Sequence, residues 1–183
     1  MPEIFVSHSA KDSNGIEFLR SLCTATGVKA HFYSWDGPSP PHGRTIKERI
    51  GESDSLFVLL SPELEENHAS IAWVGFEVGV AVGLGRPVWV LERQMDSDHP
   101  PIVKIPVPGL TGYLERPASL KQAQTEPFFS LVAEAGLGVP KRPEGGPIRR
   151  MMCPRDECQA EYYAFFVGGN LYCPICRKPL KTQ

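Results

Sequence analysis

Four of the five cysteines in this chain lie at positions 153, 158, 173 and 176. Four residues separate Cys153 from Cys158, two separate Cys173 from Cys176, and fourteen lie between the pairs. Each pair suits a knuckle that presents two thiolates, and two knuckles complete a tetrahedral metal site. A site closed by four thiolates is structural rather than catalytic. The competing reading is two redox-active or unligated pairs. Cys23 stands alone in a helix-like segment and reads as a small buried apolar residue. Nothing in the spacing suggests a secreted disulfide framework.

A second feature is a carboxylate. The stretch Ser70-Ile71-Ala72-Trp73-Val74-Gly75-Phe76-Glu77 follows an apolar run that ends in Leu59-Leu60-Ser61-Pro62. Trp73 and Glu77 are four residues apart, so on a helix they share one face. An aromatic ring beside a carboxylate at the mouth of a parallel sheet can bind and polarise a ligand. The plainer alternatives are a solvated helix carboxylate and a core tryptophan. Gly75, Phe76 and Val78 are poor company for a solvated face.

These residues need elements to position them. Residues 3–7 (Glu-Ile-Phe-Val-Ser) read as a short buried strand. A polar loop follows, with Asp12 or Ser13 as N-cap; Ile16, Leu19, Leu22 and Cys23 then repeat at helical spacing, and Gly27 stops the helix. Residues 28–34 read as a second strand and 35–43 as a long Pro- and Gly-rich turn. A helix with Ile46 and Ile50 on its inner face comes next. Residues 55–60 read as a third strand, apolar without interruption from Leu56 onward, as in a strand covered on both faces. Residues 69–84 read as a helix ended by Gly85, in which Gly75, Gly79 and Gly83 form a smooth stripe for close packing on a sheet. Strands at 87–91 and 110–114 and a last helix at 119–135 complete the series. Alternating strands and helices imply a flavodoxin-like, doubly wound parallel sheet of five strands.

Pro140, Pro143, Gly145, Gly146 and Pro147 mark a linker. The expected division is therefore residues 1–138 as the α/β domain, 139–149 as linker and 150–183 as the cysteine module. Within the module, residues 162–167, a glycine turn and Leu171-Tyr172 read as a hairpin, and the whole resembles a zinc ribbon. A unit this small needs its metal to fold.

The net charge of −2, with 42% hydrophobic and 22% charged residues, is ordinary for a soluble globular protein. From Arg149 onward six basic residues face three acidic ones, so the module is mildly basic and the main domain mildly acidic. A basic module permits a nucleic-acid or protein partner without requiring one. No apolar run approaches a membrane span, and no signal pattern opens the chain, so a cytoplasmic location with no membrane association is expected. No Ser–His–Asp order or phosphate-loop glycine pattern appears.

The ordered set of motifs resembles the Toll/interleukin-1 receptor (TIR) domain family over about residues 3–135. Ile4-Phe5-Val6-Ser7 followed by Asp12 is similar to its first strand and loop. Residues 36–43, then Ile46 and Ile50, are similar to its long loop after the second strand and the helix beyond. Residues 53–61 match its third strand, and Ser70, Trp73 and Glu77 match its Ser-x-x-Trp-x-x-x-Glu pattern. Arg86-Pro87-Val88 matches the entry to its fourth strand. Prokaryotic antiviral members of the Thoeris type are most similar, because their first loop often carries the Ser-His seen here as Ser7-His8.

This resemblance implies an NAD+ nucleosidase or ADP-ribose cyclase that breaks the nicotinamide–ribose bond of NAD, with Glu77 as the catalytic carboxylate. It implies activation by assembly into a homo-oligomer, with the 35–43 loop as assembly or gating element. Phe5, Ser7 and His8 are candidate contacts for nicotinamide or ribose, and Trp73 is a candidate for shaping the binding pocket or packing beneath it. Ser9, Lys11 and Arg44 are candidates for phosphate, and Asp36 is a further binding candidate. Nicotinamide departs as a neutral molecule from a cationic pyridinium, so a single carboxylate suffices where ordinary glycosidases need two. Two other readings stand beside it. One is a nucleoside deoxyribosyltransferase-like enzyme, whose glutamate helix runs into Gly-x-Pro-Val as Glu77 runs into Gly85-Arg86-Pro87-Val88. The other is a non-enzymatic signalling scaffold.

Overall fold

The computed structural model describes residues 1–33, 43–93, 109–116, 132, 149–165, 173–176 and 178. Five strands belong to the α/β part: β1 (Glu3–Ser7), β2 (Lys29–Phe32), β3 (Ser55–Leu60), β4 (Val88–Arg93) and β5 (Leu110–Arg116). Between them lie α1 (Ser13–Thr26), α2 (Gly43–Glu52), α3 (Pro62–Glu65) and α4 (His68–Gly83). Two more strands, β6 (Arg149–Met152) and β7 (Glu161–Phe165), come from the cysteine module.

The first five strands are parallel neighbours in the order β2-β1-β3-β4-β5, the doubly wound pattern read from the sequence. The sheet does not stop there. β7 pairs with β5 in parallel, and β6 pairs with β7 antiparallel, so among the described residues the sheet has seven strands rather than the five expected. The observed partner of β7 precedes Cys153, whereas the expected hairpin partner, Leu171-Tyr172, lies outside the described residues. The last helix (119–135, save Val132) and the 139–149 linker, save Arg149, also lie outside them.

Strand period two sorts the core into two layers. Ile4, Val6, Phe57, Leu59, Trp89, Leu91 and Leu114 pack under α1 through Phe18, Leu19, Leu22 and Cys23. Phe5, Leu56, Val58, Leu60, Val88, Val90 and Tyr113 share the opposite layer with Ile46 and Ile50 of α2 and Val74, Val78 and Ala81 of α4. β3 is buried at all six positions because it is central and covered on both faces.

Local chemistry sets the ends of α1. Asp12 accepts the Gly15 N–H at 2.8 Å as N-cap, and Gly27 closes the helix at φ 68°. In β5, a Cβ on Gly112 would stand 2.1 Å from the Trp89 ring, so glycine is what lets this buried indole cross the neighbouring strand.

One sequence expectation is overturned in α4. A Cβ at Gly75, Gly79 or Gly83 would meet nothing within 4 Å, and all three are exposed. The stripe faces outward, and the sheet side is carried by Val74, Glu77, Val78 and Ala81. The four-residue spacing correctly gave one face but not which face; larger apolar residues won the sheet side because they bury more area. Among the described residues, no helix is long and apolar enough to cross a membrane.

Candidate active site and metal centre

Ser7 is the last residue of β1, and Glu77 stands in the third turn of α4, on the helix face turned to the sheet. Both are enclosed, at 1% and 2% exposure. The Ser7 hydroxyl donates to Glu77 Oε2 at 2.5 Å, and the Trp73 side chain hydrogen-bonds the same carboxylate from one turn earlier. Burial raises the Glu77 carboxyl to about 7, against the opposing pull of the Ser7 and Trp73 hydrogen bonds. The result is a carboxylate held by two donors and divided between its charged and neutral forms near neutrality.

The loop after β1 adds polar groups next to this pair. His8 Nδ1 lies 3.1 Å from the Val6 carbonyl oxygen, which only accepts, so Nδ1 carries the proton. Its ring meets Phe32 edge-on at 5.8 Å. Ser9 is buried, and its Oγ accepts the Lys11 N–H at 3.3 Å. Lys11 itself is exposed. Asp12 Oδ2 is buried with no hydrogen-bond partner among the described residues.

The other candidates are placed differently. Phe5 is fully buried and stacks on Tyr33 at 6.5 Å, two residues below Ser7. It is a floor for the site, not a surface open to ligand, because the first strand is covered on both faces. Arg44 is exposed in the first turn of α2 and lines a groove with Lys47, Phe76, Val80 and Leu84. That groove runs along a different face of α4 from the one that carries Glu77. Trp73 is half-buried, tilted against Phe76 at 5.3 Å, and acts on Glu77 directly. Asp36 and most of the 35–43 loop lie outside the described residues.

Three polar residues escaped the sequence reading. Glu92 and Glu115 are buried and lie opposite each other at the carboxyl ends of β4 and β5. The Tyr113 hydroxyl donates to Glu92 Oε2 at 3.1 Å. Register links Ser7 to Val58, Val58 to Val90 and Val90 to Tyr113, so these positions form one row on the α4 side of the sheet. Glu92 and Glu115 stand one strand period further toward the mouth. The available signal was a carboxylate at the carboxyl end of an apolar strand, where open α/β sheets bind ligands.

The cysteine module brings its four thiols together. Their sulfurs lie within 4.8 Å of one another, with Cys153–Cys176 at 3.8 Å and Cys158–Cys173 at 3.9 Å. A tetrahedron with metal–sulfur bonds of about 2.3 Å has edges of about 3.8 Å, whereas a disulfide needs about 2.05 Å. Backbone groups of the knuckles hydrogen-bond the sulfurs: Arg155 on Cys153, Ile175 and Cys176 on Cys173, and Lys178 on Cys176. The donor set fits a thiophilic divalent metal such as zinc. Cys153 and Cys173 belong to the same apolar cluster as Leu110 and Tyr113, so the cage is built against the main sheet.

No protein-family model matches the chain, and no curated protein matches it. Among solved structures, the TIR domains of the activated Roq1 resistosome recognising the effector XopQ are similar at 15% identity and a TM-score of 0.38, over 52% of this chain and 60% of that one. The flavoenzyme FerB, an NAD(P)H:acceptor oxidoreductase from Paracoccus denitrificans, is similar at 17% identity and a TM-score of 0.34, over 51% of this chain and 62% of that one. The diflavin flavoprotein A3 of Nostoc sp. is similar at 22% identity and a TM-score of 0.40, over 74% and 89%. The chain thus spans about 60% of the length of the first two. These likenesses concern the α/β fold.

Proposed function

We propose that this protein is an NAD-consuming enzyme that breaks the nicotinamide–ribose bond, with Glu77 as the working carboxylate and activity promoted by self-assembly, in prokaryotic antiviral defence. One observation carries the reading most: an enclosed carboxylate, fixed by Ser7 and Trp73, at the carboxyl end of the central parallel strands.

The chemistry follows from that placement. When the C–N bond breaks, its electron pair passes to the nicotinamide nitrogen, which becomes neutral. Positive charge develops at the ribose C1′ and its ring oxygen. Ionised Glu77, held in place and shielded from water, stabilises that charge more strongly than an exposed carboxylate would. The Ser7 hydroxyl and Trp73 side chain keep the carboxylate oriented and favour its charged form. A water then bonds to C1′ and releases a proton, giving ADP-ribose; a nucleophile within the substrate gives a cyclic product instead. Ser9, His8 and Lys11 sit on the adjoining loop, where substrate hydroxyls or phosphates would be met.

The four-cysteine cage is read as a structural zinc site. It binds no substrate and supplies folding stability to the segment that completes the sheet.

A scaffold reading has one observation of its own. Phe76, Val82 and Leu84 are exposed at 41%, 40% and 39% beside the outward glycine stripe, an apolar surface suited to assembly. Nicotinamide release from NAD at high protein concentration separates the two. Turnover by the wild type and its loss in Glu77→Gln supports the enzyme. No turnover under any assembling condition leaves the scaffold.

A further inference from the structure

Tyr162 lies in β7 opposite Met151, with its ring in the core shared by Leu110, Tyr113, Ala164, Cys153 and Cys173. The residue is 2% exposed, and among the described residues its hydroxyl makes no hydrogen bond of regular geometry. Buried hydroxyls without partners are rare, because water solvates them in the unfolded chain and nothing replaces it. Cys153 and Cys173 share that buried cluster, and Cys173 is the one whose sulfur stands close enough to act on the hydroxyl directly.

We propose that, once the four cysteines hold a divalent metal, the Tyr162 hydroxyl donates its proton in a hydrogen bond to the metal-bound sulfur of Cys173 and ties the metal centre to the main sheet. This rests on the metal reading of the cysteine cage. Four thiolates around a divalent ion leave an excess of negative charge inside an apolar core, and such a cage needs donors around its sulfurs. The backbone donors on Cys153, Cys173 and Cys176 all come from the knuckles' own loops. Tyr162 differs because it belongs to a strand of the sheet. Its O–H satisfies a buried orphan and a charged sulfur in one bond, and hydrogen bonds to charged acceptors are the stronger kind. β7 is also the strand that pairs with β5, so metal loading pins the edge of the α/β sheet through this side chain.

The test uses the full chain and Tyr162→Phe, which keeps the ring and its packing. Zinc affinity is read by competition with a chromophoric chelator, and the thiolate-to-metal charge-transfer band is read after loading with cobalt(II). The expected results are zinc binding weaker by about tenfold and a band moved to longer wavelength, because a sulfur that loses its donor gives up electrons more easily. Unchanged affinity with an unmoved band overturns the proposal. So does a variant whose thermal stability falls equally with and without metal while its band stays put, since that is packing alone. If the variant does not fold, the wild type loaded with cadmium-113 decides: a slowly exchanging tyrosine hydroxyl proton coupled to the cadmium nucleus supports the bond, and its absence refutes it. A wild type that binds no metal overturns the metal reading itself.

Discussion

Ser7→Ala tests the logic of the site because it removes one oxygen and leaves the fold's apolar packing in place. In the native protein the hydroxyl donates to Glu77 Oε2 at 2.5 Å, and the carboxyl stands at about 7. Burial pushes the carboxyl up; the Ser7 and Trp73 hydrogen bonds hold it down. A hydrogen bond to a buried charged group is worth about 1.5–3 kcal/mol, and 1.36 kcal/mol moves a titration by one pH unit. Losing Ser7 therefore moves the Glu77 midpoint up by about one to two pH units. At pH 7 the ionised fraction falls from about half to between about a tenth and a hundredth. If the charged form does the work, nicotinamide release at pH 7 drops by about five- to fifty-fold, while much of the rate returns at alkaline pH. The assay is the pH profile of nicotinamide release for both proteins, with a carbon-13 titration of Glu77 as a direct check. A profile whose midpoint stays in place, or moves to lower pH, refutes the reasoning.

Three further outcomes are expected. The folded-state carboxyl of Glu77 stands at about 7 against an ordinary 4.5, so the folded protein binds more protons than the unfolded chain between those values. Stability from this group is therefore full below about 4.5 and falls as pH rises through 7, costing about 3 kcal/mol above it. Glu77→Gln should accordingly unfold at a higher temperature than wild type at pH 8, with the gap closing toward pH 4; thermal melts across pH check this. Chelation of the metal, or Cys173→Ser, should lower the unfolding temperature of the whole chain in one transition, because the cage shares its core with Leu110 and Tyr113; calorimetry that shows an unaffected main transition contradicts it. Gly112→Ala places a Cβ 2.1 Å from the rigid Trp89 ring and should cost about 1–3 kcal/mol, measured by denaturant unfolding.

Much of the fold was legible because its signals are local. The five consecutive apolar residues of β3, Leu56 to Leu60, announce a strand buried on both faces, and Asp12 and Gly27 bracket α1 through cap chemistry that depends on neighbours in sequence. Trp73 and Glu77 were paired by helical spacing alone, and the structure adds the hydrogen bond between them. The partnership of Ser7 with Glu77 joins positions 70 apart, which only the sheet topology brings together. Glu92 and Glu115 were missed for the same reason: each looks like a polar residue after a strand, and their opposition is a matter of register. The glycine stripe of α4 shows the limit of periodicity, which groups residues on a face without saying what the face meets. The cysteine spacing revealed the cage but not its neighbours. That β7 continues the sheet beside β5 follows from an apolar surface shared at long range, with no motif to mark it.

The central claim is that enclosed, serine-held Glu77 stabilises charge on a ribose as nicotinamide leaves. Its most direct test is release of nicotinamide from NAD by concentrated wild-type protein and by Glu77→Gln, with folding of both confirmed. Turnover by the wild type that falls by at least about a hundredfold in the variant is the expected result. Equal turnover in both proteins, or none in either under every assembling condition, contradicts it.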